Sequence, residues 1–243
     1  MLYKYKLKLI KKMAENYKVY SSLKSIFLKF IADEDELSDM NNTNKPKNDL
    51  EYKIIVIGDS LTWKTSFCNR FFRDEFDLEI KPSKETICYI KTVTLFDKKI
   101  KIYLLDVETH PLPIEEDEQI YKDVNGIIVL YDITNNESFE KIEKILIKAK
   151  NQCKLEKENS LPIIIVGNKN DLKFLRNINF SDAQNKANQL GCDLKEINCN
   201  KDPENVHSII KYLVSKIYFN SLNEEEKEII KNKAKQFRDN NNY

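Results

Sequence analysis

From Tyr52 onward the sequence alternates short, β-rich apolar runs with segments of helical periodicity, and this alternation constrains the fold more than any other feature. Strands separated by helix-length segments pair in parallel, because the chain must travel back along the sheet before the next strand begins. The apolar runs are Lys53–Ile57, Ile87–Leu95, Lys99–Leu105, Gly126–Tyr131, Pro162–Val166 and Leu194–Cys199. The second and third are separated only by the turn Phe96-Asp97-Lys98 and pair with each other. Helical segments fall at about 64–73, 137–152, 181–190 and 204–219. The expected fold is α/β: a six-stranded, mostly parallel sheet wrapped by helices, with ligand chemistry at the carboxyl ends of the strands.

Outside residues 51–219 the composition changes. Residues 1–32 carry eight lysines against one acid, Glu15, a local net charge of +7. Met13, Tyr17, Tyr20, Leu23, Phe27, Phe30 and Ile31 recur there at helical spacing, which predicts a basic amphipathic helix as an N-terminal extension. Residues 33–50 turn acidic and then Asn-rich, the composition of a linker. Residues 220–243 open with Ser221-x-x-Glu224, a capping-box pattern, followed by acids and then by lysines and an arginine. That order suits the helix dipole, so a polar C-terminal helix is expected, running into an Asn-rich tail.

Two segments carry recognisable chemistry. The first strand runs into Gly58-Asp59-Ser60-Leu61-Thr62-Trp63-Lys64-Thr65-Ser66 at a strand-to-helix junction, close to the phosphate loop GxxxxGK[ST]. In such loops backbone N–H groups and the helix N-terminus hold phosphate oxygens, the lysine neutralises charge and the hydroxyl binds magnesium. Gly58, Lys64 and Thr65 match, whereas Trp63 stands where the second glycine belongs. Glycine serves there because the backbone must approach the phosphate closely. An ordinary strand-to-helix turn in a protein that binds no nucleotide is the competing reading of this segment. The second segment, Pro162 to Leu172, is an apolar strand ending in the NKxD sequence Asn168-Lys169-Asn170-Asp171, about a hundred residues after the loop.

With these two anchors in register, residues 51–219 resemble a small GTPase of the Ras superfamily, most similar to the Rab branch. Tyr131 to Phe139 follows the Rab-type YDxTxxxSF pattern, Lys91 to Leu105 resembles the Rab antiparallel strand pair, and Gly126 to Leu130 the strand after it. The resemblance implies GTP or GDP with Mg2+ as cofactors. It places Gly58 through Ser66 around the phosphates, and Thr65, Ser83 and Asp106 on the metal, with Thr86 as a second candidate for the Ser83 role. Asn168, Lys169, Asp171 and Leu172 would form the base pocket, the aspartate accepting two N–H groups from guanine. Asn198-Cys199-Asn200 takes the place of the family's SAK element, in which the middle backbone N–H reads the guanine carbonyl. A plain buried thiol is the other reading of Cys199.

The departures fall around the phosphates. Leu61 and Trp63 replace glycines, Thr109 replaces the glycine whose N–H senses the terminal phosphate, and His110 replaces the glutamine that orients the attacking water. Pro111 and Pro113 follow at once, fixing φ and removing donors. His110 is the one candidate for a catalytic base, against the reading of a surface histidine. Two functions stay open, and with them whether the protein is an enzyme. One is a Rab-like guanine-nucleotide binder with slow or absent GTP hydrolysis, in vesicle trafficking or intracellular signalling. The other is a pseudo-GTPase, an interaction scaffold in which Trp63 fills or blocks the phosphate site. An ATP-binding protein is disfavoured because NKxD is specific for guanine.

Charge and termini bound the partners. A net charge of +1 argues neither for a nucleic-acid binder nor for an enzyme of acidic substrates, and no nucleic-acid partner is expected; the resemblance implies guanine nucleotide and protein effectors or scaffold partners. Five cysteines without a CxxC pair suit a reduced, cytoplasmic protein. No apolar run reaches the roughly 18 residues of a spanning helix. Leu2 and the Cys-free C-terminal stretch predict neither a myristoyl nor a prenyl anchor. The apolar stripe at residues 10–31 then either meets an anionic intracellular membrane peripherally, or docks on the domain or on a partner helix.

Overall fold

Strands β4 (Gly126–Asp132) and β5 (Ile163–Asn168) are buried at every position, which is why their sequences run apolar without alternation. They form the middle of a six-stranded sheet with β1 (Leu50–Gly58), β2 (Ile87–Leu95), β3 (Lys98–Asp106) and β6 (Asp193–Glu196), in the order β2-β3-β1-β4-β5-β6. The pairs β1 with β3, β1 with β4, β4 with β5 and β5 with β6 are parallel. Only residues 96 and 97 lie between β2 and β3, too short a connection for a parallel crossover. The computed structural model describes residues 49–76, 86–95, 98–107, 119–153 and 161–230.

The helices α1 (Lys64–Arg73), α2 (Asn136–Gln152), α3 (Phe180–Gln189) and α4 (Pro203–Ser221) cover the two faces of the sheet. On one face Ile142, Leu146 and Ala149 of α2 and Ala183 and Ala187 of α3 pack with Ile55, Ile57, Ile127, Val129 and Ile165. Alternate strand residues point the other way, so Ile54, Val56, Ile128 and Leu130 supply the opposite core. There α4 lies against the backbone of Gly126 through Leu213 and Ile217, and Phe71 of α1 packs on His207 of α4 with ring centroids 5.3 Å apart. Each fully buried isoleucine in these layers contributes roughly 1.5–3 kcal/mol.

Elements begin and end for local reasons. Helix α2 is capped by Asn135, whose side-chain oxygen accepts the Ser138 N–H at 3.2 Å. Strand β6 stops at Glu196, three residues short of the expected Cys199, because Asn198 Oδ1 captures the N–H groups of Asn200 (3.0 Å) and Lys201 (3.2 Å) and turns the chain. The expected capping box at Ser221 is also corrected. Helix α4 continues through Ser221, and the reciprocal cap forms two residues later between Asn223 and Glu226, at 2.8 and 3.0 Å. It opens a short helix over 224–230.

The chain divides into two compact units, one of Asn48–Val93 with Ile100–Asn220 and the other of Met1–Lys47, Thr94–Lys99 and Ser221–Tyr243. The expected N-terminal amphipathic helix, the linker to residue 48 and the tail beyond residue 230 lie outside the described residues. No helix among the described residues is long and apolar enough to cross a membrane. All five cysteines are free.

Candidate functional site

The carboxyl ends of neighbouring strands converge on one edge of the sheet: β1 ends at Gly58, β3 at Asp106, β4 at Asp132 and β5 at Asn168. This is where parallel α/β sheets place ligand chemistry. The Gly58–Ser66 segment loops from β1 into α1 across that edge. Gly58 has φ 151°, and a Cβ there would lie 2.3 Å from the Leu130 carbonyl oxygen, so no other residue fits. Leu61 (φ 63°) and Trp63 (φ 68°) keep a left-handed backbone although neither is glycine. Such a conformation costs a side-chain-bearing residue about 1–2 kcal/mol, a strain that concentrates at functional sites. Both departures thus keep a backbone conformation that glycine adopts most readily.

Within the loop, Thr62 Oγ1 donates to the Asp59 carbonyl at 2.8 Å. Lys64 is buried and its Nζ donates to the Gly58 and Asp59 carbonyls at 3.1 and 3.2 Å, so the ammonium is held inside the curl of the loop. Trp63 is the N-cap of α1 and offers no side-chain cap, and the first turn carries no acid. The N-terminal amides of α1 thus receive no side-chain cap from Trp63 and no carboxylate from the helix's own first turn. Asp59 would oppose an anion, but its carboxylate is paired with Lys141 of α2 at 3.0 Å, which in turn holds Glu137 at 2.6 Å. Ser60 and Leu61 line the outer, exposed part of the loop, and Ser66 is buried in α1.

Thr65 Oγ1 donates to Asp106 Oδ2 at 2.5 Å, bringing together two of the three expected metal ligands. The third, Ser83, lies outside the described residues, as do Thr109, His110, Pro111 and Pro113. Thr86, the alternative to Ser83, precedes β2 with a buried hydroxyl that has no hydrogen-bond partner among the described residues. Among those residues no group of three or more His, Cys, Asp or Glu side chains is arranged to hold a metal ion. A hydroxyl and a carboxylate in contact at a strand end nonetheless fit a hard cation that also takes oxygens from a ligand. Beneath them the Cys68 thiol is pushed well up by burial and by the neighbouring Asp106 carboxylate, and stays protonated.

The NKxD residues form the other half of the edge. Asn168 is fully buried and uses its whole amide: Nδ2 donates to the Thr62 carbonyl (3.1 Å) and the Cys199 sulfur (3.1 Å), while Oδ1 accepts from the N–H groups of Lys169 (2.8 Å) and Cys199 (3.3 Å). One side chain thereby ties the phosphate-loop segment to the Asn198-Cys199-Asn200 turn. The Cys199 thiol is raised to about 11, first by burial, with its contact to Asn168 pulling the other way, so it is a neutral packing group at physiological pH. Lys169 has a left-handed backbone (φ 66°) and its ammonium is paired with Asp132 at 2.6 Å. Asp171 Oδ1 is buried and has no hydrogen-bond partner among the described residues. A buried carboxylate oxygen left without a donor is costly unless a ligand supplies one, and two N–H groups of a guanine base are such donors. Leu172 follows as the residue before a single 3-10 turn, Lys173–Leu175.

Trp63 lies against the lysine of the NKxD motif. Its ring points to the base-reading residues: Lys169 Nζ lies 4.7 Å from the ring centroid, and Phe76 packs edge-on at 5.1 Å and 65°. Arg70 stands 5.5 Å from the Phe76 centroid and donates to the carbonyls of Cys199 (2.9 Å) and Asn200 (2.6 Å). A ladder of cation, indole, phenyl and cation therefore bounds this half of the site. Phe76, Arg70, Asp132 and Lys141 carry the geometry and were not singled out by sequence reasoning. Asp132 alone had a signal, as the aspartate of the YDxT segment; the others meet the site only through tertiary packing.

A family model described as Ras family matches residues 53–219. The Ras-related protein YPTC6 of Chlamydomonas reinhardtii is 28% identical over 178 residues, covering 72% of this chain and 80% of that protein. The Ras-related protein RabZ of Dictyostelium discoideum is 31% identical over 162 residues, covering 66% and 69%. RABA4b of Arabidopsis thaliana, also a Ras-related protein, is 28% identical over 177 residues, covering 73% and 76%.

Proposed function

The chain belongs to the Ras family as a Rab-like small GTPase, and from that membership we propose that it binds a guanine nucleotide along the carboxyl edge of the sheet, with GTP hydrolysis slow or absent. The observation that carries the reading is the buried Asp171 Oδ1, which has no hydrogen-bond partner among the described residues, in one motif with an Asn168 and a Lys169 already held by their own partners. A carboxylate in that state is an acceptor for the base. Lys64, inside the loop, is the phosphate-side cation, and the uncapped N-terminus of α1 adds its amides. Thr65 and Asp106 would hold Mg2+, whose chemistry is to neutralise phosphate charge, and Asn200 with Cys199 borders the base.

Slow hydrolysis follows from Thr109 and His110, which stand where the family has a phosphate-sensing glycine and a water-orienting glutamine. Kinship with Rab-named proteins supports a role in vesicle trafficking or intracellular signalling through protein effectors, on the cytoplasmic side of membranes. We assign the nucleotide-binding domain to residues 51–219, with residues 1–32, 33–50 and 220–243 as flanking segments and residues 10–31 as the stretch that docks on a protein or touches a membrane.

One observation favours a second reading, a scaffold that binds no nucleotide: the Trp63 ring already engages Lys169 and Phe76. Extraction of nucleotide from the purified full chain, followed by titration with a fluorescent GDP analogue and Mg2+, separates the two. Saturable micromolar or tighter binding supports the first reading. A chain purified empty, with no saturable binding, overturns it in favour of the scaffold.

A further inference from the structure

We propose that the Trp63 indole occupies the base side of this site and that a guanine ring enters only by displacing it. The proposal rests on the guanine-binding reading above and names a control on that same site. An indole is a flat, fused two-ring system of nearly the size and shape of a purine. Here it has what an aromatic ligand would receive: an ammonium 4.7 Å from its centroid, from the lysine of the base-reading motif, and an edge-on phenyl at 5.1 Å. The left-handed backbone at Trp63 (φ 68°, ψ 41°) fixes the direction in which its Cβ leaves the loop, and Phe76 is backed in turn by Arg70.

The indole is an incomplete substitute for a base. It presents one N–H, and Asp171 Oδ1, in the same motif as Lys169, has no donor among the described residues. A guanine ring offers two N–H groups to that carboxylate, so it gains contacts that the indole does not make. The competition lowers apparent affinity by the fraction of molecules in which the indole has left, about tenfold for a half-buried cation–π contact and an edge-on aromatic pair at the low end of their ranges. The chain has a single tryptophan, so its emission reports this one contact.

The test uses the full chain with guanosine, which carries no phosphate, and GDP as probes. Trp63→Gly and Trp63→Ala are both made: the first frees the backbone, the second keeps a Cβ beside the phosphate side and removes only the ring. Both variants are expected to bind guanosine about tenfold more tightly than the wild type. Titrating guanosine into the wild-type chain should shift tryptophan emission to longer wavelength as the indole leaves Lys169 and Phe76. Lys169→Met without ligand should change the emission as well. If guanosine binds wild type and variants equally while Asp171→Ala abolishes binding, the guanine site stands and the displacement proposal is overturned. A gain for GDP in Trp63→Gly alone, with guanosine unchanged, overturns it too, since the obstruction is then on the phosphate side. If neither the wild type nor any variant binds guanosine or GDP, the guanine-binding reading falls and the proposal with it.

Discussion

The side-chain amide of Asn168 donates to the backbone carbonyl of Thr62 at 3.1 Å, joining two loops 106 residues apart in the chain. Its neighbour Asp171 makes no such bond through Oδ1 among the described residues. The contrast divides the NKxD motif into a brace and a reader, and the division is measurable. Asn168→Ala removes four hydrogen bonds at a fully buried position and leaves their partners unsatisfied. It should cost about 3 kcal/mol in chemical denaturation. Asp171→Ala should change stability by less than about 1 kcal/mol while removing nucleotide binding.

The loop backbone gives a second prediction. Gly58→Ala forces a Cβ to 2.3 Å from a backbone oxygen at a positive φ, and should destabilise the protein by about 3 kcal/mol or prevent folding. Leu61→Gly acts in the opposite sense. Leu61 is 67% exposed, so little burial is lost, and release of its left-handed strain outweighs the added backbone entropy of glycine. Its thermal midpoint should rise, for a gain of up to about 1 kcal/mol.

Lys141 neutralises Asp59 in the loop, yet it lies on the surface. Lys141→Ala should therefore leave the thermal midpoint unchanged. By uncovering a carboxylate near the phosphate side, it should weaken GDP about threefold at low ionic strength, with the loss shrinking as salt is added. Guanosine, which carries no phosphate charge, should bind the variant as it binds the wild type.

Lys195 on β6 supplies a pH dependence. Burial lowers its amine from 10.5 to about 8. Between these values the unfolded chain binds more protons than the folded one, so this group's contribution to stability increases as pH rises from about 8 to 10.5, and it is least favourable below 8. Comparing wild type with Lys195→Met isolates the effect from the buried thiols, whose raised values act oppositely in the same range. The variant should be the more stable protein at pH 7, and the difference should shrink toward pH 10.5.

The sheet was legible because its central strands are buried on both faces, which leaves continuous apolar runs at Gly126 and Pro162 that no amphipathic helix shares. Helix α1 was legible from its start at Lys64 because the loop sequence marks the junction. The end of β6 was not, since Asn198 turns the chain with a side-chain hydrogen bond while Ile197 and Cys199 still read as strand. The cap at Asn223 was missed because Ser221 offers the same pattern two residues earlier, and only the continuation of α4 through Ser221 decides between them. The ladder from Lys169 through Trp63 and Phe76 to Arg70 had no sequence signal at all. Its members are brought together by β1, β5 and α1, and no local spacing encodes that meeting.

The central claim, that Asp171 reads guanine, is tested most directly by a cycle of two nucleotides and two proteins: GDP and inosine diphosphate, which lacks the exocyclic amine, with the wild type and with Asp171→Asn, each titrated by calorimetry in Mg2+. The account predicts that the wild type prefers GDP by about tenfold or more, and that the preference disappears in the variant, because one charged acceptor for the amine has gone. Equal affinity of the wild type for the two nucleotides, or a preference that survives in the variant, would contradict it.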